Sequence, residues 1–302
     1  MSVSSLTCIP FFIMAGELMN ASGVTQKLID FVRALVGHFR GGLAYVVVLV
    51  AMILSAILGS ANAVAAILCA VIVPEMIHDG YRDDFSAALV CASGVLGPVI
   101  PPSVTFVYFS VLSGVSVTAM FMGGAIPGIL IGVAYIAVIL FQTKRLNLPK
   151  STDHFDSKIL LRSFIKAIPA LLVPVILVFG ITAGVFTPAE SGAVAVAAAI
   201  LAGLIYGKFK PSMMSKVLMN SVPVTAGIFI IIGFGNIMGW TMAVDKIPDK
   251  ISSAVLGMTQ SSTVIILLMF AILIVVGCAM EATAAQLIFT PVMMPLATDS
   301  CK

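Results

Sequence analysis

The heptapeptide Gly97-Pro98-Val99-Ile100-Pro101-Pro102-Ser103, GPVIPPS, stands inside a run from Phe85 to Thr143 that has no charged side chain. The run is apolar enough to cross a bilayer, yet its prolines remove backbone N–H donors where lipid offers no substitute. Irregular backbone is tolerated at membrane depth only where protein or a wet cavity satisfies it, so this break has to lie against one or the other. It frees carbonyls about halfway along the crossing. Freed carbonyls and helix C-termini suit a small hard cation such as Na⁺, whereas helix N-termini suit a carboxylate.

Composition fixes the class around this break. Of 302 residues, 60% are hydrophobic and only 10% charged, with a mean hydropathy of +1.17, too few charges to coat a soluble globule. The chain reads as an all-α polytopic membrane protein. A net charge of +3 carries no nucleic-acid signal and bears on topology instead. The start, MSVSSLTCIPFF, has no basic n-region and no small-residue cleavage site, so a secretory signal is not expected. Cys8, Cys69, Cys91, Cys278 and Cys301 are scattered and read as small core residues rather than as a disulfide or metal framework.

Plausible crossings are Ile9 to Asn20, Phe85 to Val115, Thr118 to Phe141, Ile165 to Ala183, Pro188 to Tyr206 and Val217 to Met242. Two runs fit badly as single crossings. Gly41 to Val73 is uncharged and too long, with the weak helix formers Gly59-Ser60-Ala61-Asn62 at its middle; Ile251 to Ala297 carries one charge, Glu281, near its centre. Both are expected to be re-entrant hairpins whose non-helical tips lie at mid-membrane. The loop Gln142 to Phe164 is rich in Lys and Arg and is placed in the cytoplasm, as are Lys208, Lys210 and Lys216 two crossings later. On that count the first hairpin opens inward and the second outward. Amphipathic segments, Val24 to Arg40 and Val244 to Met258, precede them and should lie along the interface.

A shift of 219 residues sets Ile9 to Met19 on Ile228 to Met238 and Asn62 to Leu68 on Glu281 to Leu287. Agreement of a crossing, an interfacial helix and a hairpin on one offset indicates an inverted repeat, a common plan of secondary transporters. The expected organisation is a single, partial membrane transport domain over 1–302. Within it, 1–141 is a first repeat, 142–216 a cytoplasmic loop with two linking crossings, and 217–302 a second repeat. The same offset puts partners of Pro101 and Pro102 at 320 and 321, so the second repeat is expected to be incomplete and the chain cut at both ends.

The order IPFFIMAGELM, GSANAVAA, GYRDDFSAALVCASGVLGPVIPPS, AIPGIL, GVFTPAESGAVAV and MEATAAQLIFTPVMMPLA resembles the large membrane (permease) subunit of the TRAP, or tripartite ATP-independent periplasmic, transporters. The resemblance covers Ile9 to about Thr298. It implies an ion-transporter-like fold in the bacterial inner membrane and Na⁺-driven, elevator-type uptake of a carboxylate or sugar acid. It further implies delivery by a periplasmic solute-binding protein, a small membrane subunit as partner, Na⁺ as coupling ion and no other cofactor. Carried onto this chain, it implies a cation site of Ser60, Asn62, Gly97 and Ser103, with Gly59, Pro98, Pro101 and Pro102 as the structural helix breaks. Glu281 and Thr283 would lie at the second tip, toward substrate. Val64 departs from the family, which often has an oxygen-bearing residue at that position.

Two other functions compete. An intramembrane protease would need a membrane serine with a histidine, or two membrane aspartates, and neither pattern is present, so no enzyme is expected. An inactive remnant, or a structural partner of other subunits, is the alternative. For Ser60 and Asn62 the competing role is a hydrogen bond between packed helices. Glu17 reads as a brace to a neighbouring segment, and Thr187-Pro188-Ala189-Glu190 as a helix-starting capping box. His38, His78 and His154 are expected in water, and Trp240 as an interfacial anchor.

Overall fold

The computed structural model describes residues 6–149, 156–258 and 261–300. His154, Cys301 and part of the basic loop, Lys150 and Asp153 among it, lie outside them. The described residues form thirteen helices: α1 (Cys8–Ala21), α2 (Val24–Val36), α3 (Gly42–Leu58), α4 (Ala61–His78), α5 (Asp83–Gly94), α6 (Val104–Ser113), α7 (Val117–Arg145), α8 (Ser157–Thr182), α9 (Pro188–Ile205), α10 (Pro211–Val244), α11 (Ile247–Met258), α12 (Ser262–Ala279) and α13 (Ala282–Ser300). Six of them, α4, α7, α8, α9, α10 and α12, are long and apolar enough to cross a membrane. The protein is thus a polytopic helical membrane protein.

That set differs from the expected crossings in an informative way. The Phe85–Val115 run is two short helices, α5 and α6, because the prolines stop the hydrogen-bond ladder. The run from Gly41 to Val73 is broken at Gly59-Ser60 as expected, but its second leg continues to His78. Val24 to Arg40 gives a helix only to Val36, where Gly37 begins a turn. α1 and α2 meet at a bend of 68°, with Gly23 at φ 71°.

Contacts divide the chain into two compact units, Ser2–Val107 with Ser116–Val222, and Tyr108–Val115 with Pro223–Lys302. The larger unit is built round α3, which touches α1, α2, α4, α5, α7 and α8. Its sequence explains that position, since a helix apolar on every side has no face to give to water and its Val46, Val47, Val48, Val50 and Ala51 are fully buried. α2 is two-sided: Val24, Leu28, Ile29 and Val32 face the protein, while Lys27, Asp30 and Arg33 line the opposite side. Arg33 reaches Glu75 of α4 at 2.9 Å.

Several expectations for single residues can be settled. Thr187 and Glu190 form the capping box, with Pro188 in the first turn of α9. Glu17 accepts a hydrogen bond from Asn220 Nδ2 at 3.3 Å and so braces α1 to the start of α10. His78 is exposed beside Asp79, whereas His38 is half-buried. Among the described cysteines only Cys8 is buried; Cys69, Cys91 and Cys278 are exposed, so the core reading fails for them. At the polar start of α5, Arg82 donates to both carboxylate oxygens of Asp84, at 3.1 and 2.6 Å, and holds that carboxyl below its usual range.

In the smaller unit, α13 packs against α11 and α12. Two helices followed by a helix–break–helix pair occur in α1 to α4 and again in α10 to α13, though α1 and α2 are 14 and 13 residues long and α10 and α11 are 34 and 12. α4 begins at Ala61 and α13 at Ala282, 221 positions apart.

α7 seats the proline break. Gly128 and Gly132, two helical turns of small residues, meet Ile100 and Met52; a Cβ on Gly128 would come within 2.6 Å of Ile100 Cγ1, and one on Gly132 within 2.5 Å of Met52 Sδ. Gly97 is as confined, but by main chain, because a Cβ there would stand 2.6 Å from the backbone of Ser60. Backbone cannot swing aside as a side chain can. Gly97→Ala is expected to destabilise the purified protein by about 1–3 kcal/mol. Gly123→Ala, with open space around it, should be neutral or stabilising by up to about 1 kcal/mol. Thermal unfolding in detergent checks the pair, and equal melting temperatures for the two variants would contradict the contact.

Candidate functional site: a tip against a break

In a continuous helix the carbonyl of residue i accepts from the N–H of residue i+4. Gly97 and Pro98 therefore need donors at 101 and 102, and both positions are proline. Pro98 O is satisfied by a different donor, the Ser103 hydroxyl, at 2.8 Å. Gly97 O meets no donor among the described residues. Among the described residues, no donor meets the carbonyls of Val99, Ile100, Pro101 and Pro102 either, since the chain has turned out of helical register there. Leu96 O, by contrast, takes the N–H groups of both Val99 and Ile100. Ser103 is fully buried.

The α3–α4 break faces this segment. Gly59 ends α3 at φ 60°, a left-handed conformation that glycine adopts without steric cost, and its N–H closes on Ser55 O at 3.0 Å. Ser60 is extended and starts α4 through its carbonyl, which takes Val64 N–H at 3.1 Å, while its hydroxyl makes no capping bond. A Cβ on Gly59 would lie 3.0 Å from Val104 N and 3.1 Å from both Pro102 O and Ser103 Cα. Together with the Gly97–Ser60 approach, this puts two irregular backbones in direct contact.

The structure thus brings Gly59, Ser60, Gly97, Pro102 and Ser103 together. Asn62 is in the first turn of α4 and is exposed, and Val64 is fully buried. Two residues not singled out from sequence belong to the surroundings. Ser55 and Ser93 precede the two breaks by about one turn, are fully buried, and have hydroxyls without a hydrogen-bond partner among the described residues. Buried hydroxyls left unpaired are uncommon and call for a ligand, water or ion. Their four-residue spacing to Gly59 and Gly97 was the available signal, hidden because serine is common in packed membrane helices.

Glu281 and Thr283 belong to the smaller unit. Met280 is extended and ends α12, and Glu281 begins α13. The Glu281 carboxylate accepts from Thr283 N at 2.9 Å, from Ala284 N at 3.4 Å and from the Thr283 hydroxyl at 3.0 Å. It therefore caps its own helix, placing negative charge on the positive end of the α13 dipole. The geometry gives these two residues a tip-ordering contact.

Comparison with known proteins bears on the whole chain. Residues 1–300 match the family described as the tripartite ATP-independent periplasmic transporter, DctM component. The chain is 36% identical to the 2,3-diketo-L-gulonate TRAP transporter large permease protein YiaN of Escherichia coli, over 98% of this chain and 70% of that protein. It is 33% identical to the sialic acid large permease SiaM of Vibrio cholerae, over 97% of this chain and 69% of the other. Against the C4-dicarboxylate large permease DctM of Pseudomonas aeruginosa the identity is 35%, over 98% and 69%. Those relatives are named as transport subunits for organic acids, not as enzymes. With a match along its length and a broken-helix fold to accompany it, this chain belongs to the large permease subunits of the TRAP transporters.

Proposed function

We propose that this chain imports an organic acid across the bacterial inner membrane in symport with Na⁺, and that the contact between the α3–α4 tip and the GPVIPPS break is its cation site. The single observation that carries this reading is the set of unpaired carbonyls at Gly97, Val99, Ile100, Pro101 and Pro102 beside the tip at Gly59 and Ser60. Oxygen donors of this kind are what a small hard cation requires, and helix-break carbonyls at membrane depth commonly hold the ions of secondary transporters. Buried Ser55, Ser93 and Ser103 add hydroxyl oxygens nearby in sequence to both breaks. Asn62, exposed on the first turn of α4, supplies an amide oxygen from the outer side.

In this reading α3–α4 and α12–α13 are re-entrant hairpins of two inverted repeats, and a transport domain carrying both breaks moves as an elevator. α4 and α12 are each 18 residues long, about 27 Å, so length alone also permits a full crossing. Substrate meets the second tip, where the α13 N-terminus offers amide dipoles. Because Glu281 already occupies that end, its role is to order the tip around Thr283 rather than to touch an anionic substrate directly. A periplasmic binding protein delivers the acid and a small membrane subunit braces the permease, as the family plan implies.

The test uses vesicles holding this chain with its small subunit and binding protein. Sodium-gradient uptake is measured for sialic acid, a C4-dicarboxylate and 2,3-diketo-L-gulonate, the acids for which its relatives are named. At least one acid should accumulate with Na⁺ and not with K⁺. Ser103→Ala should raise the half-saturating Na⁺ concentration by about fivefold, the value of one hydrogen-bond-strength contact. Uptake indifferent to Na⁺, or an unchanged sodium response in Ser103→Ala, would count against the site.

A further inference from the structure

We infer that the seam between α2 and α8 binds an anionic glycerophospholipid, with the phosphate in a basic cleft and an acyl chain in an adjoining apolar groove. This inference does not rest on the cation site and concerns a different part of the molecule.

The cleft encloses about 670 Å³ and is lined by Lys27, Asp30 and Arg33 from α2, by His38 in the turn that follows it, by Asp156 at the cap of α8, and by Arg162 and Lys166 from α8. The periodicities explain most of the lining: 27, 30 and 34 share one face of α2, while 159, 162, 163 and 166 share one face of α8. Two of the cations already have carboxylates, since Lys27 pairs with Asp30 at 3.3 Å and Arg33 with Glu75 at 2.9 Å. Asp156 accepts Lys158 N–H at 2.8 Å as the cap of α8. Arg162 and Lys166 are exposed and have no ion-pair partner among the described residues. Like charges four residues apart on a helix repel, so these two create an unmet demand for an anion.

The neighbouring groove decides what kind of anion. It encloses about 510 Å³ between the same two helices and is lined by Phe31, Leu35, Leu160, Leu161 and Phe164, with Ser157 as its sole hydroxyl. Phe31 and Phe164 stand with ring centroids 5.4 Å apart, so one seam carries a charged cleft and an apolar groove. Leu161 is 60% exposed and Leu35 40% exposed. A free phosphate would use only the cleft. A phospholipid uses both, with the headgroup at the depth of an amphipathic helix and the tail beside it. The flanking Lys and Arg residues put this level on the cytoplasmic face, where anionic headgroups meet basic pockets between helices.

The experiment measures lipid retained by the full purified chain in native mass spectrometry, titrated with phosphatidylglycerol, phosphatidylcholine or inorganic phosphate. Phosphatidylglycerol should bind at least about tenfold tighter than phosphatidylcholine, and R162Q/K166Q should weaken it by about tenfold or more. Lys158→Gln, on the same helix but outside the cleft, should leave it unchanged, which separates the site from a general loss of positive charge. Leu161→Asn should weaken phosphatidylglycerol binding while leaving any phosphate binding unaltered. Equal retention of the two lipids, or indifference to R162Q/K166Q in a variant that melts like the parent, overturns the site. Displacement of phosphatidylglycerol by inorganic phosphate at equal concentration overturns the lipid as its occupant.

Discussion

Two adjacent residues without N–H groups set the terms for the rest of this structure. Pro101 and Pro102 leave Gly97 and Pro98 without their helical donors, and a membrane interior supplies no water to replace them. Everything near the break answers that deficit. The Ser103 hydroxyl takes one carbonyl, Gly97 and Gly59 let a second irregular backbone come into contact, and buried Ser55 and Ser93 add oxygens that no group among the described residues uses. A purely structural kink would not need this, because a single proline bends a helix while neighbouring groups re-satisfy the ladder. The surplus of oxygens is what makes a cation the economical explanation.

Positioning comes from packing rather than from hydrogen bonds. α3 is apolar on all sides and sits among six other helices, so the tip that follows it is anchored to the most buried element of the larger unit. The small-residue face of α7 does the same for the break, since Gly128 lets Ile100 approach more closely than any larger residue would permit. In lipid, close backbone approach of this kind is a principal source of helix association. The geometry of the site is therefore fixed by glycines through the side chain they lack.

Much of this was legible in the letters, and the failures have identifiable causes. Charge-free runs, the capping box at Thr187 to Glu190 and the glycine-serine break in the first long run each obey a local rule, and local rules can be read from sequence. The brace from Asn220 to Glu17 was foreseeable only as a role, because its partner lies 203 residues away. The starts of α4 and α13 stand 221 positions apart where the letters matched best at 219, since alanine-rich segments match one another in several registers. Asn62, weighted equally with Ser60 from sequence, is exposed, whereas Ser60 meets the break through its backbone. The exposed cysteines were misread because apolar surroundings in sequence do not separate a protein core from a lipid-facing side.

The most direct test is the sodium affinity of the purified chain, read from Na⁺-dependent thermal stabilisation at constant ionic strength, in the parent and in P101A/P102A. Alanines restore the two missing N–H groups and can heal the ladder. Sodium should stabilise the parent and K⁺ should not, and the double variant should lose at least about tenfold in sodium affinity while melting no lower than the parent without sodium. A double variant that keeps the parent's sodium affinity would contradict the freed carbonyls as the cation site.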